Sequence, residues 1–330
     1  MGIISRWSRK IMRNEIYVNI FGRFFWSSMI LAIGWGMLWT ADTQFSVKEG
    51  GFTMTSNTIL KDGVGEGMDN DYYDVTKPRV VDNHTAEAQE FVDKTLVVYD
   101  RENRSSQILV SRAYVVSYNK ETKNPNWVSW KLISEHTNGM FSRNMEVFYE
   151  DKRVPIPRSA PEDYRGSGYD RGHMCPAADN RWNPVVMRES FVMTNICPQN
   201  KDMNQNTWNE IEQLCRIWSR EYGAVYIVCG PIYLNHENRY IGRNKVAVPD
   251  YFFKVVLRTG EDPTGIGFLC ENASDTEREI VRLFTINELE TLTGFTFFNN
   301  LPDSISTRAK TNCQIEKWRG TRKFIRQHNL

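Results

Sequence analysis

Two short stretches hold most of the residues that can do chemistry. The first, DRGHMCPAADN (170–180), sets Asp170, Arg171 and His173 within four positions. The second, NICPQNKDMNQNTWNEIEQLCR (195–216), supplies Asn195, Gln199, Asn204, Glu212 and Arg216. The chain has only five histidines, and one of them stands between an acid–base pair and a Cys-Pro step. Phosphodiester hydrolysis needs three things at one point: a base to activate water, a cation to polarise the phosphate, and positive charge to meet the transition state. His173 suits the first role, because an ordinary histidine is largely neutral at working pH. The amide oxygen of Asn204 suits a hard ion such as Mg²⁺, which keeps most of its waters. Glu212 lies eight residues on, within about 80° of Asn204 around a helix, so both can face one pocket and Glu212 can orient a water of the metal's shell. Arg216, one turn further, carries a fork matched to a phosphate oxygen.

Each residue also has a plainer use. A lone histidine is more often structural or exposed. Asn204 alone reads as a helix cap, and Glu212 with Arg216 as an i,i+4 ion pair on a solvated face. Cys175, two residues after His173, invites zinc, but no second ligand pair has metal spacing.

These side chains need elements to hold them. TLVVYD (95–100), QILVSRAYVVSYN (107–119) and WVSWKLI (127–133) are rich in Val, Ile and aromatics and are predicted as strands. SFVMTNIC (190–197) is predicted as another strand, entering a turn at Pro198. NTWNEIEQLCRIWSREYG (206–223) predicts a helix. Its Trp208, Ile211, Leu214, Cys215 and Trp218 recur at helical spacing, and Gly223 stands at the C-terminal cap position. AVYIVCGPIY (224–233) and DYFFKVVLRTG (250–260) predict strands, and TINELETLTG (285–294) a short helix. Strands in runs predict an α+β fold with an antiparallel sheet rather than alternating βαβ units. Around His173 and Asn204 the order is strand, loop, strand, loop, helix. Such a ββα unit can set a histidine on its first strand opposite an amide at the helix start.

The bulk properties narrow the class. A chain of 330 residues can bury a sizeable core. A formal net charge of +1 supplies no overall field, so a nucleic-acid partner needs a locally basic cleft. No Cys-x-x-Cys pair occurs, which excludes zinc-ribbon and thioredoxin-like readings. FFWSSMILAIGWGMLW (24–39) has no charge and follows Arg6, Arg9, Lys10, Arg13 and Arg23. At ~1.5 Å per residue it spans ~24 Å, a little short of a ~30 Å hydrocarbon layer. It predicts a basic cytoplasmic N-terminus (1–23) and a transmembrane signal-anchor or signal peptide (24–40), with the remainder on the periplasmic or extracellular side. A mitochondrial location is the alternative. Residues 41–85, glycine-bearing and polar, predict a flexible linker. In an exported domain, Cys175 and Cys197 are the first candidates for a disulfide.

The two stretches together resemble the DNA/RNA non-specific endonuclease family, the ββα-metal (His-Me finger) nucleases that include endonuclease G. The family's DRGH motif matches at Asp170, Arg171, Gly172 and His173. Its N-Q-x-x-W-x-x-x-E segment matches at Asn204, Trp208 and Glu212. Its helix arginine matches at Arg216, and its N-x-x-P-Q at Asn195, Pro198 and Gln199. The resemblance covers roughly residues 90–305. It implies a nuclease domain over 86–310, followed by a basic tail (311–330). It implies His173 as general base, Asn204 as ligand of Mg²⁺ (or Mn²⁺), and Arg171 and Arg216 on the phosphate. DNA and RNA backbones would be the substrates and products would carry 5′-phosphates. The resemblance thus implies nucleic acid as partner; the segment over 24–40 adds a membrane, and a homodimer is one open oligomeric state. A competing reading is a catalytically silent nucleic-acid-binding or uptake protein of the cell envelope.

Overall fold

The computed structural model describes residues 98–330 other than 235–238, 259–262, 275–279 and 300. The basic N-terminus, the anchor expected over 24–40 and the linker over 41–85 lie outside the described residues. Among the described residues no helix is long and apolar enough to cross a membrane.

The strands run in chain order as β1 (Tyr99–Asp100), β2 (Gln107–Val110), β3 (Val115–Asn119), β4 (Asn124–Ile133), β5 (Asp170–His173), β6 (Ile196–Gln199), β7 (Ala224–Ile232), β8 (Arg239–Ile241), β9 (Val246–Val248), β10 (Tyr251–Arg258), β11 (Thr264–Glu271), β12 (Val281–Phe284) and β13 (Phe295–Thr296). The longer helices are α1 (Pro184–Glu189), α2 (Asn209–Tyr222), α3 (Ile286–Thr293), α4 (Asp303–Thr311) and α5 (Arg322–His328). Seven strands form one antiparallel sheet in the order β12-β11-β10-β7-β4-β3-β2. The sheet is two meanders joined at its centre, where β4 pairs with β7. The chain from Ser134 to Gly223 leaves that centre, builds the ββα unit and returns.

Both faces of the sheet are covered, so its central strands read as nearly continuous apolar runs. Along β10, Phe252 and Val256 join the cluster that holds Trp208, Ile211, Leu214 and Trp218 of the α2 layer. Phe253, Val255 and Leu257 point the other way, into the cluster with Ile286 and Leu289 of α3 and Phe297. Helix α3 begins and ends where its sequence says. Thr285 and Glu288 form a capping box, and Gly294 closes the helix at φ 72°.

Three local expectations change. The stretch 107–119 is a hairpin, not one strand: β2 and β3 are joined by a turn in which Ser111 N–H donates to the Tyr114 carbonyl at 2.9 Å. No glycine or proline marks this turn. Glu189 fixes it from outside by accepting from the Arg112 N–H at 3.0 Å. The strand expected over 190–197 is shifted. A single 3₁₀ turn (Met193–Asn195) precedes β6, and Pro198 sits inside the strand. A proline is tolerated there because β5 and β6 form a two-stranded sheet, in which each strand has an open edge. All six cysteines are free, so the pairing expected for Cys175 and Cys197 does not form. Cys197 lies opposite Gly172 in the β5–β6 register, and Cys175 is held beyond the strand end by Asn180 and Asn195.

Candidate active site

The β5–β6 pair and the start of α2 interlock at both ends of β5. Asn200, not Asn204, caps the helical run, accepting from the Asp202 N–H at 2.9 Å. The run opens with one turn (Lys201–Met203), widens into a π turn (Asn204–Trp208) and continues as α2. Such π turns recur where a helix must aim functional side chains. At one end of β5, Asn204 Nδ2 donates to Asp170 Oδ2 at 3.0 Å, and Gln205 Nε2 donates to the same oxygen at 3.0 Å. At the other end, Trp208 Nε1 donates to the His173 carbonyl at 3.3 Å. DRGH and the asparagine segment therefore share one wall. Asp170 orients the Asn204 amide so that its nitrogen is engaged and its Oδ1 is left to accept a cation.

His173 is buried beneath two phenyl rings, Phe191 edge-on at 5.0 Å and Phe148 at 5.4 Å. Burial, with the charge of Arg143 adding to it, pulls its pKa from 6.5 down to about 3. The ring is thus neutral throughout the physiological range. Its Nε2 is buried and has no hydrogen-bond partner among the described residues. Arg171 stacks its guanidinium 5.3 Å from the Phe148 ring and donates to the Pro161 carbonyl at 3.1 Å, while its Nε is buried without a partner. Arg143, exposed and 6.0 Å from the Phe191 ring, stands on the same side. Sequence reasoning missed Arg143, Phe148 and Phe191, because no motif joins residues so far from DRGH along the chain.

Asn195 acts on the backbone, and Gln199 packs on it. Asn195 clamps the Cys-Pro loop, accepting from the Cys175 N–H at 2.9 Å and donating to the Cys175 and Ser190 carbonyls at 2.8 Å. Gln199 is fully buried over Gly172, and neither end of its amide has a partner.

Glu212 and Arg216 belong to a buried charge cluster that the sequence did not reveal. Arg216 Nη1 lies 3.0 Å from Asp179 Oδ1 and 4.0 Å from Glu212 Oε2, and Trp130 Nε1 donates to Asp179 Oδ2 at 3.1 Å. One prong of the fork expected at Arg216, Nη1, is therefore engaged by carboxylates. The i,i+4 contact with Glu212 does form, but inside the protein rather than on a solvated face. Burial raises the pKa of both Asp179 and Glu212; Arg216 opposes this at Asp179, and Lys254 then Arg216 oppose it at Glu212. Lys254 stands in the middle of β10, fully buried, its Nζ 4.0 Å from the Trp208 ring centroid. Burial works against its ammonium, yet its pKa is raised. The neighbouring thiols of Cys229 and Cys215 are pushed up to about 12 by burial and stay protonated. Glu212 and Asp179 are thus the charges that Lys254 answers.

The donor set fits a divalent metal of one kind. Among the described residues no three His, Cys, Asp or Glu side chains gather to hold an ion. Asn204 Oδ1 offers a single neutral oxygen, which suits a hard cation that keeps its water shell. The unpartnered Arg171 Nε, His173 Nε2 and Gln199 amide line the same strand pair, a group of buried polar atoms that a polar ligand would satisfy.

The sequence model of the DNA/RNA non-specific endonuclease family matches residues 93–304, well over half of the chain. The chain belongs to this family. It is 39% identical over 160 residues to mitochondrial endonuclease G of Bos taurus, covering 45% of this chain and 54% of that protein. It is 33% identical over 228 residues to the mitochondrial nuclease EXOG of Mus musculus, covering 64% of this chain and 62% of that one. A nuclease of Nostoc sp. is 33% identical over 216 residues, covering 61% and 76%. The chain thus spans just over half the length of the endonuclease G relatives it matches. A chain in the crystal structure of the EndoG/EndoGI complex superposes with a TM-score of 0.56 at 30% identity, covering 62% of this chain and 89% of that one.

Proposed function

We propose that this chain is a divalent-metal-dependent endonuclease that hydrolyses phosphodiester bonds of DNA and RNA without base preference, leaving 5′-phosphates. The observation that carries the reading is His173: buried, kept neutral, its Nε2 unpartnered, on a strand whose far end is bonded to Asn204. His173 takes a proton from the attacking water. An anionic phosphate beside the ring raises its affinity for that proton, so base strength grows when substrate arrives. Asn204 would hold the metal, which would supply Lewis-acid stabilisation of charge on the phosphate and the leaving 3′-oxygen. Arg171 and Arg143 meet the phosphate charge from the aromatic side. Arg216 acts through Asp179 and Glu212, and Glu212 would be available to orient a water of the metal. The names of the mitochondrial relatives support a mitochondrial location over a bacterial envelope.

The test is plasmid nicking by the full chain against Mg²⁺ concentration. His173→Ala should lower the rate by at least ~10²-fold at every Mg²⁺ concentration, the lower range for loss of a general base. Asn204→Ala should shift the Mg²⁺ requirement upward and be partly rescued by excess metal. Full activity of His173→Ala, or its rescue by Mg²⁺ alone, would refute the assignment. A wild-type chain that binds DNA and never cuts it would favour the silent-binding alternative.

A further inference from the structure

The last nineteen residues carry a charge asymmetry that the active site does not use. Of the 41 basic and 40 acidic residues in the chain, Lys317, Arg319, Arg322, Lys323 and Arg326 fall within 312–330, against one acid, Glu316. The rest of the chain is therefore net acidic, and its positive excess sits in this tail. Residues beyond 304 also lie outside the family match.

The tail is built against α2 rather than trailing. Ile315, Trp318 and Phe324 are buried, while all five cations are exposed. Trp318 packs 4.5 Å from Trp218, Trp218 Nε1 donates to the Arg319 carbonyl at 2.8 Å, and the Arg319 N–H donates to Tyr222 Oη at 2.9 Å. Phe324 packs against Phe268 at 6.0 Å. At the other end of α2, His328 Nε2 lies 2.8 Å from Glu210 Oε2. Glu210 stands two residues before Glu212. The tail is thus tied to both ends of the helix that follows Asn204. None of the five cations forms an ion pair with a described carboxylate. Beside Tyr222 and Trp318 an open cleft of about 650 Å³ is lined by Lys317, Arg319 and Lys323.

From Glu210 to Tyr222 the helix rises ~18 Å. Phosphates of one duplex strand advance by ~3.4 Å, so about five fit along that length. Exposed cations of similar number, on a backbone held against α2 of an otherwise acidic molecule, match a regularly charged polyanion better than a single small anion.

We propose that the tail over 312–330 is a nucleic-acid backbone-binding strip outside the catalytic pocket, contacting the strand that leaves the active site along α2. It rests on the nuclease reading for its choice of polyanion. The experiment uses the full chain, a 30-bp duplex and chelator, so that binding is read without cutting. Lys317→Gln, Arg319→Gln, Arg322→Gln and Lys323→Gln are combined in one variant. Its Kd at 100 mM salt should rise at least ~10-fold and the log–log salt slope should fall by about 3. Hydrolysis of a small chromogenic phosphodiester in Mg²⁺ should be unchanged. The variant Arg326→Glu repeats the binding measurement outside the Tyr222 cleft, so local damage at Trp318 does not decide it. Unchanged Kd and slope in both variants would overturn the proposal. So would loss of binding to phosphatidylserine vesicles with duplex binding retained. A wild-type chain that hydrolyses neither substrate would defeat the catalytic reading while the chelated binding assay still judges the strip.

Discussion

Asp170 and His173 sit three positions apart on β5, and the structure gives them different work. Asp170 accepts from Asn204 Nδ2 and Gln205 Nε2, so it fixes the amide that we propose as the metal ligand. Replacing it with Ala removes the hold on the Asn204 amide and leaves His173 in place. Asp170→Ala should raise the Mg²⁺ concentration needed for half-maximal rate several-fold while the rate at saturating Mg²⁺ falls less than in His173→Ala; a Mg²⁺ titration of both variants separates them. His173 in turn carries a stability cost that pH exposes. Its folded pKa, about 3, lies below the unfolded 6.5. Between those values the unfolded chain binds a proton that the folded one refuses, so stability falls as pH drops from 6.5 toward 3 and is unaffected by this group above 6.5. His173→Gln, which cannot titrate, should lose less stability than wild type between pH 7 and pH 4.5. Urea unfolding at both values measures the difference, and equal losses would show that the ring is not protected from protonation.

At the scale of elements, strand β5 depends on a close approach that no side chain allows. A Cβ added at Gly172 would fall 1.8 Å from Gln199 Oε1, and Gln199 is fully buried, so its amide has nowhere to swing. Gly172→Ala should cost ~1–3 kcal/mol, the range for overpacking, and lower Tm by about 3–10 °C. Adding Gln199→Ala should recover part of that loss; additive losses in the double-mutant cycle would contradict the contact. What the sequence made legible follows the same division. The α3 boundaries, the Gly223 and Gly294 stops and the central antiparallel sheet were readable, because caps and apolar periodicity are local signals. The hairpin inside 107–119 was not, because its turn is held by Glu189 from another element. Nor was the role of Arg216. Spacing placed it near Glu212, but Asp179, whose partners are Trp130 and Arg216, becomes visible only when β4 and α2 pack. Lys254 carried the one readable warning, a charge inside an apolar strand, and its meaning required Trp208 to be in place.

For the whole molecule, the backbone recognition proposed above would let location, not sequence, select the substrate. Contacts to phosphates carry no base information, so such an enzyme cuts whatever strand it can reach. The family relatives named above include mitochondrial proteins of Bos taurus and Mus musculus. The basic stretch before residue 24 and the uncharged one over 24–39 lie outside the described residues; as a sequence they are expected to target and anchor, which fractionation tests. A full chain tagged at its C-terminus should co-fractionate with mitochondria, stay in the pellet after carbonate extraction and resist protease until the organelle is opened. Deleting residues 1–40 should release it to the cytosol with nuclease activity intact in vitro, since the residues placed at the site lie between 143 and 216. Release by carbonate would remove the anchor and leave only targeting. Digestion of the tag in intact mitochondria would mean that the nuclease faces the cytosol, where the same chemistry would meet a different pool of nucleic acid.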